Sequence, residues 1–339
     1  MPLFSKRLGV DLGTVNVLIY ERGQIVLQEP SLVAVQIDQN GDERIIELGQ
    51  PAREMMGRVD EEDIRILRPL MDGVIADYEV TEEMLSYFFS KIAGRIRLFR
   101  PSVMVSVPHG VTSVERRAVY EAALAAGARE VNLIPEPLAA AIGAGLPVGT
   151  PAGDMVVNIG GGITEAAVLT MNKIIRAESG RIGGLRMDDA IIAYIRRKYS
   201  LSIGQPTAES VKIQVGAAVL LPSEMSMEVQ GRDNVTGLPR TVTITTGEVV
   251  EALAEPLQAI AQVVKNVLSN TPPELASDII DRGIVLTGGG ALLRGIDQFL
   301  TQQTGVPVFR ADNPMIAVAT GCGRALDDPA LMRWIVPQS

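Results

Sequence analysis

The sequence predicts an α/β protein made of two duplicated halves, each carrying a smaller inserted subdomain. One pattern occurs twice: residues 8–20 and 154–169 each contain an apolar run ending in a polar residue, a turn with glycine or threonine, and a second apolar run. Val, Ile and Leu around a short glycine-containing break are typical of a buried β-hairpin. A third apolar run, 284–287, leads into three glycines at 288–290 and an apparent helix start.

Composition narrows the class of protein. The chain has 339 residues, 47% hydrophobic and 21% charged, so it is globular and long enough for two or three packed units. Its net charge of −9 disfavours nucleic-acid binding. A single Cys322 and a single His109 exclude a multi-cysteine or histidine-cluster metal site, and His109 is expected in a loop at a strand end. Without a spanning apolar stretch or a secretory signal, we expect a cytoplasmic, soluble or peripheral protein.

The first half alternates strands and helices. After its hairpin we expect a strand at 24–27, then a polar, irregular inserted subdomain over 36–72, and then a helix over 81–89 with Thr81 as its cap. The remaining predicted elements are a strand at 103–107, a helix at 114–126 closed by Gly127, a strand at 131–134 and a helix at 138–146.

The second half repeats this plan. Its hairpin is followed by a strand at 173–177 and a helix at 186–199. Residues 211–214 and the β-rich segment 225–245 indicate a second insertion. The helical period over 247–270 contains Pro256, which predicts a kink or a junction.

The glycine turns indicate a ligand class. Glycine leaves no Cβ between backbone N–H groups and an incoming anion. Two such turns and a later glycine segment therefore predict a nucleotide held between the two halves, with opening and closing driven by that nucleotide.

The chain resembles the bacterial actins of the MreB family, within the superfamily of actins, sugar kinases and DnaK-type chaperones. The likeness extends over nearly the whole chain and rests on seven motifs in the family's order. They are Asp-Leu-Gly-Thr-x-Asn at 11–16, Asp-Gly-Val-Ile-Ala-Asp at 72–77, Val-Glu-Arg-Arg-Ala at 114–118, Ala-Gly-Ala-Arg-Glu-Val at 126–131, Glu-Pro-Leu-Ala-Ala-Ala-Ile-Gly at 136–143, Ala-Glu-Ser-Val-Lys at 208–212 and Leu-Thr-Gly-Gly-Gly-Ala at 286–291.

The resemblance implies an actin-like fold with two ribonuclease H-like domains, ATP and Mg²⁺ in the cleft, and polymerisation into membrane-associated filaments that set rod shape with cell-wall elongation proteins. It places the protein in the cytoplasm, on the inner face of the cell membrane, against anionic lipid. The implied subdomains are IA (1–32, 73–145 and 315–339), IB (33–72), IIA (146–182 and 247–314) and IIB (183–246). ATP/ADP and GTP are both left open as the nucleotide.

The resemblance also implies the phosphate site. Thr14, Val15, Asn16 and Val17 would form the first phosphate loop, and 160–162 (Gly160, Gly161 and Gly162) the second. The alternative for the first loop is a tight turn with a capping threonine. Asp11 would hold waters on Mg²⁺.

The family places an aspartate at the position of Asn158. An amide keeps an oxygen for a metal-bound water but loses the negative charge. We therefore hypothesise that Mg²⁺ coupling is weaker here and that hydrolysis is slow.

Two residues are candidates for catalysis. Glu136 would orient the attacking water with Thr164 as its partner across the cleft, because phosphoryl transfer asks chiefly for positioning. The alternative is a carboxylate held in a turn between Pro135 and Pro137.

The adenosine end is assigned by resemblance. Glu209 and Lys212, spaced to share a helix face, would flank the adenine and ribose, and the alternative is a surface ion pair between them. The glycines Gly288, Gly289 and Gly290 with Ala291 would complete the adenosine shelf.

Membrane contact is expected at two places. Residues 91–100 carry four basic residues and no acid around Leu98 and Phe99, and apolar insertion with basic contacts suits anionic lipid. Leu3 and Phe4 could assist. The alternative is that Leu98 and Phe99 pack into the core.

Competing functions remain at this point. A small-molecule kinase of the same superfamily would need a sugar pocket, for which there is no dedicated signal. A DnaK-type chaperone is disfavoured because the sequence ends at Ser339. A membrane scaffold that binds nucleotide but hydrolyses little because of Asn158 stays open. The family also suggests filament contacts at 114–126 and 271–275.

Overall fold

The computed structural model describes residues 6–38, 41–60, 62–93 and 100–335. In chain order the strands are β1 (Arg7–Leu12), β2 (Asn16–Glu21), β3 (Gln24–Pro30), β4 (Val33–Ile37), β5 (Glu43–Leu48), β6 (Ile64–Leu67), β7 (Leu70–Met71), β8 (Val74–Ile75), β9 (Ser102–Val107), β10 (Glu130–Pro135), β11 (Asp154–Ile159), β12 (Thr164–Thr170), β13 (Lys173–Gly180), β14 (Leu201–Ser202), β15 (Ser226–Asp233), β16 (Pro239–Thr245), β17 (Ile284–Thr287) and β18 (Val308–Arg310). The helices are α1 (Gln50–Met55), α2 (Tyr78–Ala93), α3 (Ser113–Ala125), α4 (Glu136–Gly143), α5 (Gly184–Tyr199), α6 (Gln205–Val215), α7 (Thr246–Ala252), α8 (Ala254–Ser269), α9 (Pro273–Arg282), α10 (Ile296–Thr304), α11 (Ala317–Asp327) and α12 (Pro329–Ile335).

Two five-stranded sheets have the same topology. The first has the order β10-β9-β1-β2-β3, and the second, taken in the same direction, has the order β18-β17-β11-β12-β13. In each sheet the hairpin strands and the third strand pair antiparallel, while the later strands pair parallel. The pairing of the second and third strands contains a register shift in each sheet, after Ile19 in the first and after Val168 in the second. The predicted duplication is therefore confirmed. We call these two sheets, with the elements packed on them, the first and second lobes.

Each lobe carries a small insertion. The first contains a three-stranded sheet, β5-β4-β6, with α1 beside it, and the second contains the sheet β14-β15-β16 with α6 and α7. The expectation of an irregular segment over 36–72 was wrong. Strands β4, β5 and β6 form a sheet there, with one register shift between Ala34 and Val35, because apolar residues such as Ile45 recur among the charged ones and pack against the first lobe's core.

Several element ends differ from the sequence prediction. Helix α2 begins at Tyr78, so Thr81 lies inside it and is not the cap; the Thr81 hydroxyl donates to the Asp77 carbonyl at 2.6 Å, and the Asp77 carboxylate accepts the Val80 N–H at 3.1 Å. Helix α4 begins at Glu136 and ends at Gly143. The junction expected near Pro256 is confirmed, because α7 and α8 meet at Leu253.

Helices α4 and α11 join the lobes. They share one apolar cluster with residues of both sheets, including Met104 and Val156. Their backbones touch: a Cβ added at Gly321 would overlap the Ala139 carbonyl, and one at Gly143 would overlap the Ala317 carbonyl. This contact fixes the lobes side by side, with the hairpin turns of both facing one cleft.

Within the described residues, no helix combines the length and the apolar character required to cross a bilayer.

Candidate functional site

A cavity of about 440 Å³ lies between the lobes, within the ~300–1,000 Å³ typical of small-molecule sites. Most of the residues predicted from the sequence line it. They are Asp11, Thr14, Val15, Asn16, Glu136, Asn158, Gly160, Gly161, Gly162, Glu209, Lys212, Gly288, Gly289 and Gly290.

The two hairpin turns meet across this cavity. A Cβ at Gly161 would overlap the Val15 side chain, and one at Gly162 would lie 2.7 Å from Thr14 Oγ1. Only glycine therefore lets the second turn approach the first so closely. Thr14 Oγ1 also accepts the Gly73 N–H at 3.0 Å, which anchors the first turn.

The glycine segment after β17 forms another wall. Gly288 has a φ of +82°, a conformation that favours glycine, and a Cβ there would overlap the Ile159 carbonyl of the second hairpin. No heavy atom lies within 4 Å of the Cβ position of Gly289, so that residue leaves open space. A short 3₁₀ turn, Gly289–Leu292, replaces the expected helix start.

Three predicted site residues do not line the cavity. Val17 and Ala291 have buried side chains in the cores of the first and second lobes. Thr164 is fully buried, and its hydroxyl donates to the Ile182 carbonyl at 2.7 Å. The structure therefore does not bring the Thr164 hydroxyl to Glu136.

Asp11 is the second-last residue of strand β1 and lines the cavity. Its Oδ1 accepts the Ser106 hydroxyl of β9 at 3.3 Å. Burial raises the pKa of Asp11 to about 7, although the Ser106 hydrogen bond opposes the rise.

Glu136 and Asn158 contact each other directly. Asn158 Nδ2 donates to Glu136 Oε1 at 2.5 Å, while Asn158 Oδ1 accepts the Thr287 hydroxyl at 3.0 Å. Burial raises the pKa of Glu136 well above its ordinary value, and the charges of Glu165 and Asp11 raise it further, whereas the Asn158 hydrogen bond lowers it. The Asn158 amide thus favours the charged form of Glu136, whereas burial and the neighbouring carboxylates disfavour that form.

Glu165 was missed by the sequence analysis. It is fully buried on β12 opposite Asn158, and its Oε1 accepts the His109 N–H at 2.8 Å and the Ser179 hydroxyl at 2.9 Å. Burial raises its pKa to about 7, and these two hydrogen bonds oppose the rise. An acidic residue inside an apolar strand was the signal that could have found it. His109 itself lies in the expected turn after β9.

The far rim of the cavity is closed by side chains from the two insertions. Arg53 of α1 pairs with Glu209 of α6, with Nη2 and Oε2 2.5 Å apart. Beside them, Arg68 Nη2 donates to Gln205 Oε1 at 3.4 Å. Both arginines were missed, because they lie in the polar stretch interpreted as irregular.

Lys212 does not pair with Glu209; its partner is Asp188. Its Nζ lies 2.7 Å from Asp188 Oδ1 and donates to the Gly184 carbonyl at 2.9 Å. Burial raises the pKa of Asp188 to about 6, against the lowering effect of Lys212. The alternative of an ion pair between Glu209 and Lys212 is therefore wrong.

The metal assignment can be tested on these groups. No cluster of three or more His, Cys, Asp or Glu side chains able to hold a metal occurs in the described part of the chain. A hard cation that keeps most of its waters needs few protein ligands, and the Asp11 carboxylate at the phosphate end of the cavity fits that need. Asn158 fits less well, since both of its polar atoms already have protein partners.

The four residues expected at the membrane, Leu3, Phe4, Leu98 and Phe99, lie outside the described residues.

Comparison with known proteins identifies the family of this chain. The family model described as MreB/Mbl protein matches residues 5–333. The cell shape-determining protein MreB of Escherichia coli (strain K12) is 50% identical over 329 residues, covering 96% of this chain and 94% of that protein.

Solved structures are similar as well. MreB5 of Spiroplasma citri bound to AMPPNP is 38% identical with a TM-score of 0.89, covering 96% of both chains. The same protein bound to ADP is 37% identical with a TM-score of 0.91, covering 99% of this chain and all of that one (100%). A MamK double helical filament, at 20% identity and a TM-score of 0.80 with 96% of this chain and 99% of that chain covered, shares the fold. The predicted actin-like fold is confirmed.

Proposed function

This chain belongs to the MreB/Mbl family, and from that premise we propose that it is an actin-like, Mg²⁺-dependent ATPase whose filaments govern cell shape. The observation that carries the proposal is the meeting of two glycine turns across one cavity that Glu136 also lines. AMPPNP and ADP in the similar MreB5 structures support an adenine nucleotide. GTP is the competing nucleotide in a binding test.

The described residues divide the work of hydrolysis. Backbone N–H groups of the two turns bind the phosphates, and Glu136 orients the attacking water. Mg²⁺, when bound, would neutralise phosphate charge, and Asp11 would hold it through water. The amide of Asn158 keeps Glu136 in place through its hydrogen bond to Glu136 Oε1.

A phosphate-release assay tests the hydrolase. We expect Glu136→Ala to bind ATP as the wild type does and to lose roughly 100-fold or more in phosphate release, because positioning of the nucleophile is lost. Glu255→Ala, at an exposed carboxylate of α8, is the control. Equal turnover of Glu136→Ala and wild type would remove the role of Glu136.

Assembly and membrane binding need separate measurements. We propose filaments of this chain on the inner, anionic face of the cell membrane, with cell-wall elongation proteins as partners. Sedimentation with and without ATP and Mg²⁺ tests assembly. Pelleting with anionic liposomes tests the membrane contact, and a Leu98→Ser/Phe99→Ser variant should bind less; undiminished binding would contradict that contact.

A second candidate is a filament-forming scaffold that binds nucleotide and hydrolyses little. The engagement of both polar atoms of Asn158 favours it, because neither is left wholly for a metal-bound water. Assembly without phosphate release would support the scaffold over the hydrolase.

A further inference from the structure

We propose that Thr287 is a positioning residue for Glu136, acting through Asn158. Its hydroxyl fixes the side-chain amide of Asn158 so that Nδ2 holds the Glu136 carboxylate. The proposal rests on the hydrolase function proposed above, because the position of Glu136 matters only if the site hydrolyses ATP.

The backbone places these three residues in line. Thr287 ends β17 and is the direct neighbour of Asn158 in the parallel pairing of β17 with β11. Glu136 is the first residue of α4, which packs on β11. The result is a chain of hydrogen bonds, 3.0 Å from Thr287 Oγ1 to Asn158 Oδ1 and 2.5 Å from Asn158 Nδ2 to Glu136 Oε1.

The positions of hydrogen-bond donors and acceptors give this series of hydrogen bonds one direction. While Glu136 is ionised its carboxylate can only accept, so Asn158 then turns its NH₂ group towards Glu136 and its oxygen towards Thr287. A rotated amide would set two oxygens against each other at the Glu136 contact. An aspartate at position 158 could not donate to Glu136 at all while ionised, so the arrangement requires the amide.

Burial leaves the amide little freedom. Thr287 is fully buried and Asn158 is 2% exposed, so bulk solvent has little access to either side chain. A Cβ at Gly288 would lie 2.8 Å from Asn158 Oδ1, which shows how tightly that oxygen is enclosed. A polar group in such surroundings is held firmly when all its partners are present and loses its orientation when one is removed.

The alternative role for Thr287 is local. Its hydroxyl also lies 3.4 Å from the Val157 carbonyl and could merely stabilise the end of the strand. That role predicts a loss of folding stability without a specific effect on Glu136.

Single-turnover phosphate release and nucleotide affinity separate the two roles. We expect Thr287→Val, which keeps the shape and removes the hydroxyl, to slow phosphate release ~10-fold while the Kd for ATP stays within about twofold. Thr287→Ser, which keeps the hydroxyl, should stay within about twofold of wild type in both. Thr170→Val is the matched control, because it removes another buried hydroxyl of the same lobe, one bonded to the Thr150 and Pro151 carbonyls.

A double-mutant cycle tests the route through the amide. In an Asn158→Ala background, Thr287→Val should change phosphate release by less than about twofold, since its target is gone. An equal loss in both backgrounds, or a Thr287→Val rate equal to wild type, would overturn the proposal. Wild-type protein that releases no phosphate would instead overturn the hydrolase function itself, and this role with it.

Discussion

The two hairpins of this molecule share a backbone plan and differ in the polar residue at the second-last position of the first strand. In the first lobe, that residue is Asp11 of β1, which accepts the Ser106 hydroxyl from the parallel neighbour β9 at 3.3 Å. In the second lobe, Asn158 in β11 accepts the Thr287 hydroxyl from the parallel neighbour β17 at 3.0 Å. The hydroxyl partner is retained, whereas the carboxylate is replaced by an amide.

The difference concerns charge rather than geometry. Asp11, Glu136 and Glu165 already bring three carboxyl groups to the region, and burial raises the pKa of each. A carboxylate at 158 would add a fourth negative charge beside Glu136, whereas the amide adds a donor. The repeated fold therefore fixes where a polar side chain lies, and the residue type at that position decides whether the side chain favours a cation or a carboxylate as its partner.

The largest effect is expected for Asp11→Asn, which gives both hairpins an amide at this position. We expect nucleotide affinity in the presence of Mg²⁺ to fall ~10–100-fold, because the amide lacks the negative charge with which Asp11 would hold metal-bound water. Titration of Mg²⁺ against a fluorescent ATP analogue measures this. Ser106→Ala, which removes only the partner hydroxyl, should cost less; an unchanged Mg²⁺ requirement in Asp11→Asn would contradict the assignment.

The reverse change, Asn158→Asp, gives both hairpins a carboxylate. We expect half-saturation at a Mg²⁺ concentration ~10-fold lower, because the added charge favours a cation. The donor to Glu136 is lost as well, so the pKa of Glu136 should rise and the acid limb of the rate profile should move to higher pH. Superimposable Mg²⁺ curves for the variant and the wild type would dismiss the hypothesis of weakened coupling.

Arg53→Ala removes the ion pair between the two insertions and leaves the hydrogen bond between Arg68 and Gln205. The Arg53 and Glu209 side chains are 37% and 26% exposed, so we expect a modest effect, ~2–5-fold faster dissociation of bound nucleotide. Stopped-flow release of a fluorescent ATP analogue measures it. Arg65→Ala is the matched control, because Arg65 pairs with Glu43 inside one insertion at 3.3 Å. Equal acceleration in both variants would show that the contact across the cleft has no special role.

The smallest expected effect is on stability. The folded-state pKa of Asp11 is raised from 3.8 to about 7, so between these values the folded protein binds more protons than the unfolded chain. Stability of the nucleotide-free protein should therefore fall as pH rises from about 4 to about 7. Asp11→Asn should flatten this decline, by about 2 °C in Tm between pH 5 and pH 8. A parallel decline in both proteins would assign the effect to other groups.

Local patterns in the sequence were sufficient to predict the two hairpins and the glycine segment after β17. Apolar runs around 8–20 and 154–169 specify strands whatever their neighbours, and the glycines report where backbones must approach. The junction near Pro256 follows from the same kind of signal, whereas β13 continues to Gly180, three residues beyond the end of the strand predicted over 173–177.

Contacts between distant residues could not be predicted in this way. Arg53 and Glu209 lie far apart in the chain, and only the packing of two insertions on opposite lobes brings them together. The Thr164 hydroxyl has the right chemistry for a catalytic partner, but the main chain at Ile182 takes it. Likewise, Glu165 lies in an apolar strand, and its electrostatic effect depends on Glu136, which α4 brings near it.

The bare contact between α4 and α11 has a mechanical consequence. With no side chains between Gly143 and the Ala317 carbonyl, or between Gly321 and the Ala139 carbonyl, there is no layer along which the lobes can slide. Relative movement of the lobes would then be a rotation about the contact between α4 and α11. In such a rotation, the displacement of an atom grows with its distance from that contact. A small rotation would therefore move Glu136, at the start of α4, only slightly, and would move Arg53 and Glu209, at the far rim of the cavity, by a larger distance.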